Sequence, residues 1–172
     1  MSTIKVDTLQ SRAGGAVTFT TLPIGASAAG SAAFAARFTA ATGATWSNVA
    51  SAAIIPFNDA SSNDAFDTDS VFNTSTYKFT APATGVYTFW FSIYTANSDT
   101  NNGFGFLKNS EKVRMQAAAD GLFTTVQSES GDHIQNGTVI IPLSSGDTIA
   151  VCGGVQSDYY SGYSQFGGCR LA

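Results

Sequence analysis

His133 is the one histidine in the chain, and it follows Asp132 in a stretch flanked by Gly131 and Gly137. A histidine beside a carboxylate can begin a general-base site, but it also needs a nucleophile and an orienting group within hydrogen-bond reach. Neighbouring residues on an extended chain point to opposite sides, so Asp132 cannot orient the ring of His133. The chain has no GxSxG, no HExxH and no phosphate-cradling glycine loop, which are the local patterns that nucleophilic, zinc and phosphoryl chemistry use. His133 therefore reads as a solvated loop residue. No catalytic residue is assigned and the chain is not expected to be an enzyme. A glycan hydrolase would need two close carboxylates in a pocket.

Two other clusters could bind without catalysing. Asn58, Asp59, Asn63, Asp64, Asp67 and Asp69 carry the hard oxygens that calcium prefers. Asp64, Asp67 and Asp69 are the candidate calcium ligands. The stretch lacks the glycine and the closing glutamate of an EF-hand loop, so a solvated loop is the competing reading. Tyr159, Tyr160 and Tyr163 lie in a Gly/Ser-containing segment from Val155 to Ser164, which reads as an exposed loop. Tyrosine with serine and glycine is the chemistry of adaptable contact surfaces, sugar-stacking sites among them. These three are the candidate ligand contacts, with packing on another subunit as the alternative. Cys152 and Cys169 lack metal-ligand spacing and read as buried thiols, with a disulfide as the alternative.

The elements that must carry these residues are strands. In 172 residues, 44% are hydrophobic and 12% charged, with 13 Phe and 17 Gly; that is about half the ~25% charge usual for soluble domains. A surface so poor in charge is expected to be partly buried against other copies of the chain. The net charge of -4, with 8 Lys and Arg in all, excludes a phosphate-neutralising nucleic-acid surface. The apolar runs fall far short of the ~20 residues of a membrane span, and residues 1–10 lack the apolar core of a signal peptide. Neither membrane insertion nor Sec export is expected.

Strand signals separated by turn residues recur about every 10 residues, the spacing of a sandwich or barrel. In Gly85 to Tyr94, alternation puts Tyr87, Phe89, Phe91 and Ile93 on one face and Thr88, Trp90, Ser92 and Tyr94 on the other. In Thr138 to Leu143, Val139, Ile141 and Leu143 share a face while Ile140 takes the opposite one. Both strands are apolar on two sides, so the sheet that holds them needs a partner beyond its own core. Trp90, Tyr94 and Ile140 are the expected interface residues. Ala33 to Thr39, with Phe34, Ala36 and Phe38 on one face, is also a strand. Further strands are expected at Ile54 to Phe57, Tyr77 to Thr80, Phe104 to Lys108, Lys112 to Gln116, Leu122 to Ser128, Thr148 to Cys152 and Gln165 to Leu171. Residues 1–30 are too short to bury a core, and read as an extended attachment arm ending in a Gly/Ala/Ser linker, ahead of a head domain over 31–172.

The run Phe79-Thr80-Ala81-Pro82-Ala83-Thr84-Gly85-Val86-Tyr87-Thr88-Phe89 closely resembles the signature of the globular heads of the complement first component, q subcomponent, a branch of the tumour-necrosis-factor-like jelly rolls. Ala33-Phe34 resembles the opening strand of that family and Leu107-Lys108-Asn109 its Lys-Asn turn. Gly137 to Ile149 resembles its Gly-x-Val-Ile and Gly-Asp segment, and Phe166 with Gly168 its closing strand. The collinear match covers about residues 33–172. Departures are Tyr77, where the family usually has glycine, the ending Cys169-Arg170-Leu171-Ala172 in place of bulkier apolar residues, and the unmatched stretch 116–135. The resemblance implies an all-β, two-sheet antiparallel jelly roll of about ten strands that forms a homotrimer, with the strands over 85–94 and 138–143 in the sheet that faces the other subunits.

Ser2-Thr3-Ile4-Lys5-Val6-Asp7-Thr8-Leu9-Gln10, followed by Gly14-Gly15-Ala16-Val17, resembles a leader shared by tail-fibre and other virion proteins of tailed phages, marine cyanophages especially. It implies a virion structural protein (tail fibre, adaptor or decoration) assembled in the host cytoplasm and released by lysis. Other virion proteins would be held through residues 1–30, and a host-surface glycan or protein met at the far end. The competing expectation is a trimeric adhesion module of a bacterial cell or spore surface.

Overall fold

The computed structural model describes residues 32–38, 46–50, 53–62, 64–95, 103–113, 124–125, 133–153 and 156–171. The strands are β1 (Ala33–Arg37), β2 (Trp46–Ala50), β3 (Phe66–Asp67), β4 (Phe72–Asn73), β5 (Lys78–Thr80), β6 (Gly85–Thr95), β7 (Gly103–Lys108), β8 (Glu111–Lys112), β9 (Thr124–Thr125), β10 (His133–Leu143), β11 (Thr148–Gly153), β12 (Gln156–Tyr160) and β13 (Gln165–Arg170), with a 3-10 turn at Ser161–Tyr163. One sheet has the order β10-β6-β13-β1-β3, and a second runs β4-β5-β11-β7-β8 with β9 also on β7. A ribbon of β12 and β2 completes the described residues. The chain passes repeatedly between the layers, and the fold is the two-sheet antiparallel jelly roll that the resemblance implied.

The core fills the space between the sheets with aromatic rings. Phe34, Phe57, Phe79, Tyr87, Phe89, Phe91, Phe104, Phe106 and Phe166 are all fully buried. Phe34 stacks on Phe72 with centroids 4.8 Å apart and meets Phe166 edge-on at 4.9 Å, arrangements favoured by the ring quadrupole. Such large side chains facing each other leave no room for Cβ atoms at some opposing positions. A Cβ on Gly137 would stand 2.4 Å from the Phe91 ring, and one on Gly168 2.3 Å from that of Phe89. These two glycines belong to the motifs quoted above, and aromatic packing is what requires them.

β6 gives the head two ends. At one, Arg170 N donates to Ala32 O at 3.0 Å and Leu171 N to Val86 O at 2.7 Å, so the chain enters and leaves beside Val86. That end is the foot. Eight residues further along β6, about 27 Å away at the rise of an extended strand, Tyr94 marks the tip.

At the foot the quoted family motifs meet. The Asp147 carboxylate accepts from Asn109 Nδ2 and Ser144 N, both at 2.8 Å, and lies 3.0 Å from Lys108 Nζ. Asn109 Oδ1 accepts from Thr148 N at 2.8 Å. Those hydrogen bonds, from Asn109 first, hold the Asp147 pKa down from 3.8 to about 2. The Tyr87 hydroxyl donates to Ala83 O at 2.6 Å, closing the Pro82 to Gly85 corner. Tyr77 occupies the family's glycine position at φ 61, and the β7–β8 turn has Asn109 at φ 51 and Ser110 at φ 71. Left-handed backbone explains why glycine is usual at the first site.

Several strand expectations are corrected. Ile54 to Phe57 forms no strand, only an isolated bridge from Ile54 to Cys152; Pro56 has no amide proton to continue a ladder. β10 begins at His133 rather than Thr138, and pairs with β6 all along its length, so His133 lies in a strand and not a loop. Val155 to Ser164 is also not a loop throughout, since 156–160 forms β12. The arm over 1–30 lies outside the described residues.

Candidate functional site

The outer face of the five-stranded sheet is where the described residues concentrate exposed apolar surface. On β6, Tyr87, Phe89, Phe91 and Ile93 are buried inward while Val86, Thr88, Trp90, Ser92 and Tyr94 point outward. Register carries the pattern sideways: Trp90 stands opposite Thr138, Thr88 opposite Ile140, and Tyr94 opposite Ile134. Toward the other edge, Trp90 neighbours Gly167, then Ala35, then Phe66. Gly167 is buried under the Trp90 indole, and a Cβ there would lie 2.6 Å from the ring. Ile140 is 65% exposed, Ile134 60%, Phe66 48% and Val86 38%. Trp90, Tyr94 and Ile140 thus share one face, as the alternation implied. Ile134 and Phe66 also belong to it. The period-two pattern running back from Ile140 through Thr138 and Asn136 reaches Ile134, which the expected strand over 138–143 leaves out.

A polar row crosses this apolar face: Arg37, Gln165, Ser92 and Asn136 are lateral neighbours on four strands. Arg37 is anchored from the side. Its Nε lies 3.2 Å from Asp59 Oδ2, and its Nη2 donates to Ser62 Oγ at 3.0 Å. Asp59 is buried, which alone would raise its pKa. Donation from the Ser62 hydroxyl, the Ser61 amide, the Arg37 guanidinium and the Ser62 amide outweighs that and holds it at about 2, below the ordinary 3.8.

Beyond the polar row, at the tip, stand three tyrosine rings. Tyr160 and Tyr163 stack with centroids 5.5 Å apart at 17°. Tyr94 meets both edge-on, at 5.7 and 5.6 Å. Buried Ser164 fixes the group: Tyr94 N donates to its Oγ at 3.2 Å, and that hydroxyl donates to Tyr160 O at 2.9 Å. Tyr159 is not part of it. Because β12 is a strand, Tyr159 points the opposite way from Tyr160, into the core, where it stacks on Phe38 at 5.2 Å. Burial raises its pKa, against a hydrogen bond with Ser47.

The acidic stretch does not converge. Both oxygens of Asp67 accept backbone protons, from Val71 N and Phe72 N at 2.9 Å, while Asp64 and Asp69 are exposed. Among the described residues, no three His, Cys, Asp or Glu side chains are placed to share a metal ion. Cys152 and Cys169 are free thiols on different sheets; Cys152 is buried, whereas Cys169 is half-buried on the outer face beside Thr88 and Ala33.

A model of the C1q domain matches residues 33–169. The chain belongs to the C1q domain family. C1q and tumour-necrosis-factor-like domains typically form homotrimers and are generally non-enzymatic binding modules. Among solved structures, the globular domain of zebrafish complement 1qA protein is 19% identical with a TM-score of 0.58, covering 82% of this chain and 98% of that one. The Eiger tumour necrosis factor of S. frugiperda is 12% identical with a TM-score of 0.57, covering 83% and 94%. At these identities the likeness is one of fold. None of the curated protein sequences matches this C1q-domain chain closely enough to establish kinship.

Proposed function

We propose that this C1q-domain chain is a non-enzymatic virion structural protein, a tail fibre, adaptor or decoration, whose heads join as a homotrimer through the outer face of the five-stranded sheet. One observation carries the reading. Of the exposed large apolar side chains among the described residues, Phe66, Val86, Ile134 and Ile140 lie on that face, and Tyr163 and Leu171 lie at its two ends. Fully burying one such side chain is worth about 1.5 to 3 kcal/mol, so a face with several favours association. Trp90, Tyr94 and Ile140 are the contacts assigned to the neighbouring copies. They lie on β6 and β10, on one side of the Gly167 and Ala35 stripe, with Phe66 of β3 on the other, an arrangement that suits a ring, in which unlike patches of successive subunits meet.

Residues 1–30 join the head at its foot and are assigned to attachment on other virion proteins, which leaves the tip free to meet a host-surface glycan or protein. Three weak sites on one rigid trimer gain about 10² to 10⁴ in avidity over one. The leader at residues 2–17 supports the virion reading. Native mass spectrometry of the purified chain is expected to give three times its mass. A stable monomer at micromolar concentration with Trp90 in water overturns the trimer. Immunogold labelling of intact virions is expected to decorate them, and absence of the protein from purified particles overturns the virion assignment in favour of a bacterial surface adhesin.

A further inference from the structure

We infer that Tyr163, backed by Tyr160 and Tyr94, is a saccharide-stacking platform at the tip of the head. The inference rests on the trimeric attachment reading and names both its ligand class and its site. Three features of the structure point to it.

The first is a ring held ready. Tyr163 is 69% exposed although it sits between two other aromatics, and its stacking on Tyr160 leaves the opposite face of the ring for a ligand. The contacts with Tyr94 and the two hydrogen bonds of Ser164 fix the ring without covering it, so little side-chain freedom remains to be lost when a ligand stacks.

The second is the mixture of groups. An aromatic face is electron-rich at its centre and attracts the polarised C–H bonds on the apolar face of a pyranose ring. The hydroxyls around the rim of a pyranose then need donors and acceptors beside the aromatic. Gln165, exposed two residues after Tyr163, carries an amide. An amide supplies both kinds of partner. Among the described residues, the cation in the same row, Arg37, is tied to Asp59 and Ser62, which suits the site to a neutral sugar.

The third is position. The tyrosines are at the end remote from Ala32, where residues 1–31 join, and cyclic symmetry places every copy of the site at the same end of a ring. An exposed aromatic pair at the free end of an attached head is positioned for a surface glycan.

The test uses the full chain and four probes: methyl β-D-galactopyranoside, methyl β-D-glucopyranoside, methyl α-D-mannopyranoside and methyl α-L-rhamnopyranoside. Binding is read by saturation-transfer NMR, at about 10 mM because a single shallow site is expected to have a millimolar Kd. At least one pyranoside is expected to receive saturation through its ring protons. Tyr163→Ala is expected to weaken binding at least about tenfold, a loss of 1.4 kcal/mol, while Tyr163→Phe, which keeps the ring, stays within about twofold. Native mass spectra of both variants are expected to match the parent. Three results overturn the inference: no transfer to any of the four sugars, unchanged binding by Tyr163→Ala, or loss of the oligomer in Tyr163→Ala, which would make Tyr163 itself a subunit contact. A parent chain that binds sugar as a monomer sinks the trimer and leaves the platform standing.

Discussion

The two ends of the head are built from different materials. At the foot, Lys108, Asn109, Ser144, Asp147 and Thr148 are joined by short directional bonds, and above it, midway along β6, glycines admit aromatic rings at contact distance. At the tip, three tyrosines touch one another, and the most exposed of them, Tyr163, is held by ring contacts. Directional bonds and missing Cβ atoms tolerate little substitution. Exposed ring contacts tolerate much. The foot is therefore where stability is concentrated, and the tip is where side chains can change without unfolding the head.

Gly168→Ala is the strongest way to break that contrast. Its methyl would meet the Phe89 ring at 2.3 Å and Thr88 O at 2.8 Å, and overpacking of this kind costs about 1 to 3 kcal/mol. Urea unfolding followed by Trp fluorescence is expected to show the midpoint falling accordingly. A loss as small as that of a tip variant would show that the packed middle of the sheet, above the foot, yields as readily as the tip.

Acid titration compares the two carboxylates held low, Asp59 on the tip side and Asp147 at the foot. Each has a folded pKa of about 2 against 3.8 when unpaired, so its contribution is full above pH 3.8 and is lost as pH falls through 2. Thermal midpoints are expected to drop over that window. Asp59→Asn should lower the midpoint at pH 7 and flatten the acid limb. An acid limb as steep as the parent's would mean that the Arg37–Asp59–Ser62 contact contributes nothing.

A smaller effect of opposite sign is expected from Ser110→Gly. Ser110 holds φ 71 in a two-residue hairpin turn, where a side chain costs about 1 kcal/mol relative to glycine. Thermal unfolding is expected to rise by an amount of that order, and a fall would show that the Ser110 hydroxyl, which accepts from Lys78 Nζ at 3.5 Å, outweighs the backbone. The smallest change is assigned to the tip. Tyr163→Ala is expected to stay within about 0.5 kcal/mol of the parent in the same urea experiment, as an exposed side chain should; a loss of several times that would make Tyr163 part of the structural frame.

Much of the foot was legible from residues alone, because local rules act there. The Ser144 to Asp147 turn, the Pro82 to Gly85 corner and the alternation of β6 each follow from short-range sterics and period-two patterning. The tip was legible only in part. Tyr160 and Tyr163 were marked as candidate contacts, but Tyr159 was grouped with them because Gly and Ser neighbours resemble a loop. Pairing with β2, more than a hundred residues away in sequence, makes 156–160 a strand and turns Tyr159 into the core. In the acidic stretch, Asp59 turns its oxygens to nearby backbone amides and Arg37 and Asp67 turns its own to backbone amides, while Asp64 and Asp69 are exposed, and composition does not record where hydrogen bonds go.

The order of residues, by itself, determined which side chains share a face of each strand and that β6 and β10 have apolar surfaces front and back, since backbone geometry alone sets that alternation. Only the tertiary structure decided which strands lie side by side. Lateral neighbours are chosen by packing between residues far apart along the chain, and it is this choice that gathers Phe66, Trp90, Ile134 and Ile140 on one face and sets Tyr94 against Tyr160 and Tyr163.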